Sequence, residues 1–162
     1  DVIEIFDRIQ KETPAILIMV GEGSEKEPAE ALCRKKGIQD KVRFLGNSSE
    51  IDKILCFSDL FLLPSEKESF GLAALEAMAS GVPVISSNTG GLPEVNENGI
   101  SGYLSDVGNV AEMAKNALSI LQSEATLAKF KRQAKNAARK FDTQTIVPKY
   151  EELYTKAIAC VS

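Results

Sequence analysis

A chain of 162 residues, 44% hydrophobic and 26% charged, is long enough to bury one proper core and has the ordinary balance of a globular domain. Its net charge of −4 and pI near 5.0 leave no basic surface to suggest nucleic acid or anionic lipid as a partner. The absence of any histidine removes Ser-His-Asp and Cys-His chemistry and most zinc sites.

Val2, Ile3, Ile5, Phe6 and Ile9 recur at helical spacing and predict a helix over 2–12. Asp1 is not a natural initiator, and the chain opens directly in this amphipathic helix, so it reads as a piece of a longer polypeptide. The acidic start, Asp1-Val2-Ile3-Glu4, does not have the form of a signal peptide. Ala15 to Val20 is a continuous apolar run closed by Gly21-Glu22-Gly23, the pattern of a strand buried on both faces. The run is far too short to cross a membrane. Pro28 to Lys36 reads as a helix stopped by Gly37. Val42 to Leu45 reads as a short strand closed by Gly46 and Asn47.

Residues 49–57 form the next predicted helix, with Ser48 or Ser49 available as its cap. Leu60 to Leu63 is a second buried strand, ended by Pro64 and Ser65. Phe70 to Ser80 is helical, Gly81 ends it, and Val82 to Ser86 is the following strand. Tyr103 and Leu104 mark a last short strand, before three successive helices over 109–122, 124–140 and 143–159. The basic residues Lys129, Lys131, Arg132, Lys135, Arg139 and Lys140 fall on these helices and read as a solvated face. Cys33, Cys56 and Cys160 are odd in number and widely spaced. That argues against a disulfide framework or a CxxC metal site and points to a reducing, cytoplasmic setting.

Strands alternating with helices across short loops predict an α/β fold. A Rossmann-like parallel sheet carries helices on both faces and ends in several helices, all as one domain over 1–162. In such sheets ligands bind where the C-terminal ends of the strands open into loops. The loops that matter are therefore 21–24, 46–49, 64–70 and 86–93.

The stretch from Pro64 to Gly81 is the richest in chemistry. Its helix is apolar on nearly every side and carries one charge, Glu76. A helix of that composition is expected to be buried, and a lone buried carboxylate is costly without a partner. A ribose diol, with two hydroxyl donors, is one such partner; a salt bridge to an unseen Lys or Arg is the other. Glu68 lies eight residues earlier, in the loop before the helix, where taken alone it reads as an exposed acid beside Lys67. Gly71 opens the first turn, and helix N-termini bind anions through orphan N–H groups and the helix dipole. The five residues from Gly71 to Glu76 span ~7.5 Å of helix axis, which suits one nucleoside diphosphate sugar reaching both glutamates.

Glu68 and Glu76 match the E-x7-E element of the large GT-B family of retaining glycosyltransferases called GT4. Pro64-Ser65, Glu68 to Leu72, Glu76 to Ala79, Gly81 to Val84 and Gly90 to Glu94 also resemble that family, as do Gly21-Glu22-Gly23 and Phe44-Leu45-Gly46. The chain is identified as the family's C-terminal, donor-binding domain. The octapeptide Ser65 to Leu72 is similar to that of the subgroup that joins N-acetylglucosamine to L-malate, which implies UDP-N-acetylglucosamine as donor and L-malate as acceptor. The resemblance makes Glu76 the ribose ligand and places Glu68 near the donor sugar and its anomeric centre. Backbone N–H groups of Gly71 and Leu72, flanked by Ser69 and Phe70, would hold the distal phosphate. The turn of Leu45, Gly46 and Asn47 would face the uracil. Gly21 and Gly23 would keep their loop clear of the donor, and Gly90-Gly91 would either line the cleft or make a plain turn.

The resemblance further implies retaining transfer without a metal or other cofactor. It also implies a basic pair and an N-terminal acceptor domain lying before Asp1, to which the last helix crosses back. Without that domain, the apolar face of Ile146, Tyr150, Leu153 and Tyr154 is expected to be exposed, to dock differently, or to mediate self-association.

Two other readings keep part of this picture. UDP-sugar 2-epimerases and glycogen-type phosphorylases use similar two-domain cradles. Epimerases, however, lack the Glu68-Ser69-Phe70-Gly71 arrangement, and no lysine here sits in a context suited to pyridoxal phosphate. A non-catalytic α/β nucleotide-binding module is another alternative, and a stand-alone signalling module of the receiver type would need a cluster of acids at the strand ends to bind metal and accept phosphate. Gly21, Gly46, Ser65 and Ser86 stand there instead.

Overall fold

The computed structural model describes residues 1–159. Eight helices and five strands follow one another. They are α1 (Val2–Glu12), β1 (Leu17–Val20), α2 (Lys26–Lys36), β2 (Val42–Gly46), α3 (Ile51–Cys56), β3 (Phe61–Leu63) and α4 (Leu72–Ala79). After these come β4 (Val84–Ser87), α5 (Leu92–Val95), β5 (Gly102–Ser105), α6 (Val110–Leu121), α7 (Glu124–Ala138) and α8 (Thr143–Ala159). Every predicted helix and strand is present, with ends displaced by a few residues. Ser48 does not cap α3 directly; its hydroxyl accepts from the Glu50 N–H at 3.1 Å, and Glu50 holds the cap position. The single turn of α5 lies partly inside a segment expected to be loop; Pro93, at the start of that turn, suits it by its fixed φ.

All strand pairs are parallel, but they form two sheets rather than the one expected. β1 pairs with β2, and β4 sits between β3 and β5. β1 is also not buried on both faces. Leu17 and Met19 turn inward, while Ile18 and Val20 stay exposed, as do Arg43 and Leu45 on β2. The apolar run therefore covers one core and leaves a bare face, because no described helix lies across it.

Three apolar cores hold the elements. Ile3 and Phe6 of α1 meet Cys33 of α2 and the inward side of β1 and β2. Ile5 and Ile9 on the adjacent side of α1 meet Ile85 of β4 and Met113, Ala117 and Ile120 of α6. On the opposite face of β3–β5, Ala74, Ala77 and Met78 of α4 pack with Val84, Leu92, Val95 and Ala134. Cys33 is buried, Cys56 is exposed, and both are free thiols; Cys160 lies outside the described residues. Burial pushes the Cys33 thiol up. Of the basic cluster, Lys131 pairs with Asp59 and Lys140 with Glu97, and most of the rest is solvated. On α8, Tyr150, Leu153 and Tyr154 are exposed, and its chief contact is the short turn at Arg139–Phe141.

Two buried polar groups were not legible as such. Asn96 is fully buried and donates to the Val84 and Tyr103 carbonyls and the Ser86 hydroxyl while accepting from Ser101, so one side chain laces β4 to β5. Asp7 of α1 is nearly buried and accepts from Lys11 at 3.0 Å and Lys36 at 3.1 Å. Burial alone would raise its carboxyl pKa, but the hydrogen bonds from Lys11, Lys36 and Gln10 together hold it below the ordinary value. A carboxylate lowered in the folded state contributes stability above its unfolded pKa, near 3.9, and loses it as pH falls toward the folded value. Asp7→Asn should therefore lower the melting temperature at pH 7, and the gap to the parent should narrow below about pH 4. A constant gap down to pH 3 would exclude this ion pair as the cause.

Candidate functional site

The loop from Pro64 to Gly71 ends at a glycine held at φ +95°, a left-handed conformation that L side chains rarely adopt. A Cβ on Gly71 would also lie 2.8 Å from Cδ2 of Leu92. This turn brings Glu68 onto the start of α4, where the Gly71 N–H donates to Glu68 Oε1 at 3.2 Å. The first N–H groups of a helix have no intrahelical acceptor, so the Glu68 carboxylate serves one of them. Glu68 thus occupies the anion-attracting end of the helix that the sequence assigns to a phosphate.

A second loop holds the first in place. The Gly91 N–H donates to the Glu68 carbonyl at 3.3 Å, and the Thr89 hydroxyl donates to the Glu66 carbonyl at 3.4 Å. A Cβ on Gly90 would lie 1.6 Å from the Glu68 carbonyl oxygen, and one on Gly91 would lie 2.7 Å from Phe70 Cα. The two expectations for Gly90-Gly91 resolve into a third. These glycines let two backbones touch, and they fix where Glu68 stands. Phe70 packs edge-on against Phe141, with ring centroids 5.9 Å apart at 77°, and so anchors the loop on its far side.

The helix beyond Gly71 corrects the argument made for Glu76. α4 buries Ala74, Ala77 and Met78 but leaves Leu72, Ala73, Glu76 and Ala79 exposed. The small residues on that face read as core in sequence, yet no described element lies across them. Glu76 is therefore not a buried charge in need of a partner. Its carboxylate makes no hydrogen bond or ion pair among the described residues, and neither the salt bridge nor any burial cost applies. What remains is an open helix face on which Leu72, 64% exposed, and Glu76 lie one turn apart.

The β1 and β2 ends form a separate group. Gly21 donates its N–H to the Gly46 carbonyl at 2.8 Å, and Asn47 Nδ2 donates to Glu22 Oε2 at 3.3 Å. Leu45 is half-exposed, and Asn47 and Gly23 are exposed. Glu22 went unselected in the sequence; its place between Gly21 and Gly23 was the available signal.

The structure thus gathers Glu68, Phe70 and Gly71 with Gly90 and Gly91, and it joins Gly21 and Glu22 to Gly46 and Asn47. Ser69 is exposed beside the first group. No hydrogen bond recorded among the described residues connects the two groups. Nor is any group of three or more Cys, Asp and Glu side chains assembled as a metal site among them. A cavity of about 680 Å³ lies elsewhere, between α1 and α6, lined by Asp7, Lys11, Lys36 and Lys115. No described helix is long and apolar enough to cross a membrane.

The chain resembles known proteins along most of its length. The family described as "Glycosyl transferases group 1" matches residues 1–140. The chain is similar to the N-acetyl-alpha-D-glucosaminyl L-malate synthase of Bacillus anthracis, 41% identical over 155 residues, which is 95% of this chain and 41% of that protein. It is 31% identical over 147 residues to the 2-deoxystreptamine N-acetyl-D-glucosaminyltransferase of Niallia circulans, covering 89% of this chain and 38% of the relative. Among solved structures it resembles Alr3699/HepE of Anabaena in complex with UDP, with a TM-score of 0.84 and 27% identity, over 96% of this chain and 45% of that one. The chain therefore spans about two fifths of the length of the curated relatives it matches.

Proposed function

The chain belongs to the group 1 glycosyl transferases, and from that premise we propose that it is the donor-binding, C-terminal part of an enzyme that transfers a hexosyl group from a UDP-sugar with retention. The observation that carries this reading is the α4 face. An unpartnered carboxylate, Glu76, and an exposed Leu72 stand one turn apart, beyond a helix start that already holds an anionic group. A nucleoside diphosphate matches each part. Its diphosphate takes the Leu72 N–H and displaces the Glu68 carboxylate from that of Gly71, and its ribose hydroxyls donate to Glu76. The exposed turn of Leu45, Gly46 and Asn47 receives the base, and the donor sugar lies toward Glu68. The UDP complex of a protein of similar fold supports a uridine nucleotide in this role.

In the intact enzyme an N-terminal domain supplies the acceptor pocket and closes over the donor. The positive end of α4 stabilises the charge that develops on the departing phosphate, which takes the acceptor proton. Glu68 positions the sugar and forms no covalent bond to it. No metal or other cofactor takes part. The likeness to a malate synthase supports N-acetylglucosamine as the sugar and L-malate as the acceptor.

Thermal shift with added nucleotides tests the donor reading. UDP at ten times its dissociation constant should stabilise the protein by about 1.4 kcal/mol, read as a rise of a few degrees in melting temperature. Acetyl phosphate should produce no shift. Stabilisation by acetyl phosphate and not by UDP would make this a signalling module instead.

A further inference from the structure

We propose that the cavity between α1 and α6 binds a small organic phosphate, a phosphate monoester carried on a compact apolar body, at a site separate from the donor loops. Its volume of about 680 Å³ lies within the usual range for small-molecule pockets. None of Glu68, Gly71, Glu76, Gly90 and Gly91 lines it.

The wall that α1 and α2 supply holds more positive charge than its buried acid needs. Lys11 and Lys36 both donate to the same oxygen of Asp7, Oδ2, at 3.0 and 3.1 Å, while Oδ1 accepts from Gln10 at 3.3 Å. One carboxylate charge therefore faces two ammonium charges, and one of them is enough to neutralise it. Each ammonium has three donors, and each uses one on Asp7 among the described residues. The side chains of Asp7 and Lys36 are 9% and 26% exposed, so the surplus charge stands where water screens it poorly. An anion entering the cavity meets donors that are already held in place.

α6 supplies a wall of the opposite kind. Val110, Ala114 and Leu118 recur every fourth residue and face the cavity along one side of the helix, with Ala111 beside them. The alanines leave width that longer side chains would fill. Lys115 is the one charge from α6 on the cavity, exposed and without an ion pair or hydrogen bond among the described residues. Arg8, across from it on α1, is likewise exposed and unpaired among them.

Four cations from three helices thus surround the cavity, in a chain whose net charge is −4. A phosphate monoester offers three terminal oxygens and close to two negative charges, which suits several donors arriving from different sides. Its organic part would lie on the apolar wall of α6. Two further acids limit its size. Glu4 and Glu12 stand at the ends of the α1 stripe, about 12 Å apart along the axis, with Arg8 midway. Acidic ends around a cationic middle admit a compact anion and repel a long polyanion such as nucleic acid.

Titration calorimetry on the intact protein tests the site, with phenyl phosphate as the probe and UDP in excess to fill the α4 helix start. Phenyl phosphate should bind, inorganic phosphate about tenfold more weakly, and phenol not measurably. Lys115→Glu should weaken phenyl phosphate about tenfold or more and leave UDP affinity unchanged. Asp7→Asn should tighten it severalfold, because both ammoniums then lack a carboxylate; lysines that serve only to hold Asp7 would give no such gain. Should Asp7→Asn be too unstable to measure, Lys115→Glu decides alone. Absence of phenyl phosphate binding, binding indifferent to Lys115→Glu, or phenol binding as tightly would each overturn the proposal. A folded Asp7→Asn that binds no more tightly would remove the lysine pair from the site, and equal affinity for inorganic phosphate would exclude an organic ligand.

Discussion

Glu76→Ala in the full-length enzyme should weaken UDP and donor binding about ten- to a hundredfold while leaving the melting temperature of the free protein within about a degree. The affinity estimate follows from hydrogen bonds to a charged acceptor, which are worth about 1.5–3 kcal/mol. The stability estimate follows from position. Glu76 is exposed, unpartnered among the described residues, and lies in a helix where alanine is the most favourable residue. That separation makes the experiment decisive. A carboxylate kept for folding would lower stability when removed, whereas a ribose ligand would lower only affinity. Titration calorimetry with UDP beside a thermal melt reads both quantities. Unchanged UDP affinity would remove Glu76 from the donor site.

Gly90→Ala should do the reverse and damage fold and site together. Its φ of +54° costs an alanine about 1–2 kcal/mol, and its Cβ would stand 1.6 Å from the Glu68 carbonyl oxygen. Backbone cannot yield that distance as a flexible side chain would, so the loop of Thr89 to Gly91 must lift from the loop of Glu66 to Gly71. A total loss of about 2–4 kcal/mol is expected, with donor affinity falling at least tenfold because Glu68 and the helix start move together. Gly108→Ala is the control: φ is +78° there, but nothing lies within 4 Å of the added Cβ, so only the conformational cost of about 1–2 kcal/mol remains. Equal melting temperatures for the two variants would mean that the contact between the loops is not what positions Glu68.

Much of the fold was legible because its signals are local. Continuous apolar runs and helical periods placed each strand and each long helix within a few residues. Gly37, left-handed at φ +68° after α2, ended that helix as expected. The single turn at Leu92–Val95 escaped notice because four residues carry no period. The candidate site was legible as a set of residues, since Glu68, Gly71 and Glu76 stand at fixed spacing on one loop and one helix. The reason first given for Glu76 was not sound. Leu72, Ala73 and Ala79 have the composition of a core, and composition does not say whether another element lies across them.

What the sequence by itself determined is therefore the succession of strands and helices, the membership in a glycosyl transferase family, and the residues that make up the candidate site. These follow from short-range periodicity and from motifs whose residues are near one another in the chain. Only the tertiary structure decided that the sheet stands divided beneath α1, that Asn96 and Asp7 are buried in hydrogen-bonded networks, and that Gly90 and Gly91 exist to let two loops touch. It also decided that Glu76 faces outward. Each of these depends on which distant segments meet, and burial and contact are properties of that meeting, set by backbone clearance and by the packing of α1, α4 and β4 against one another.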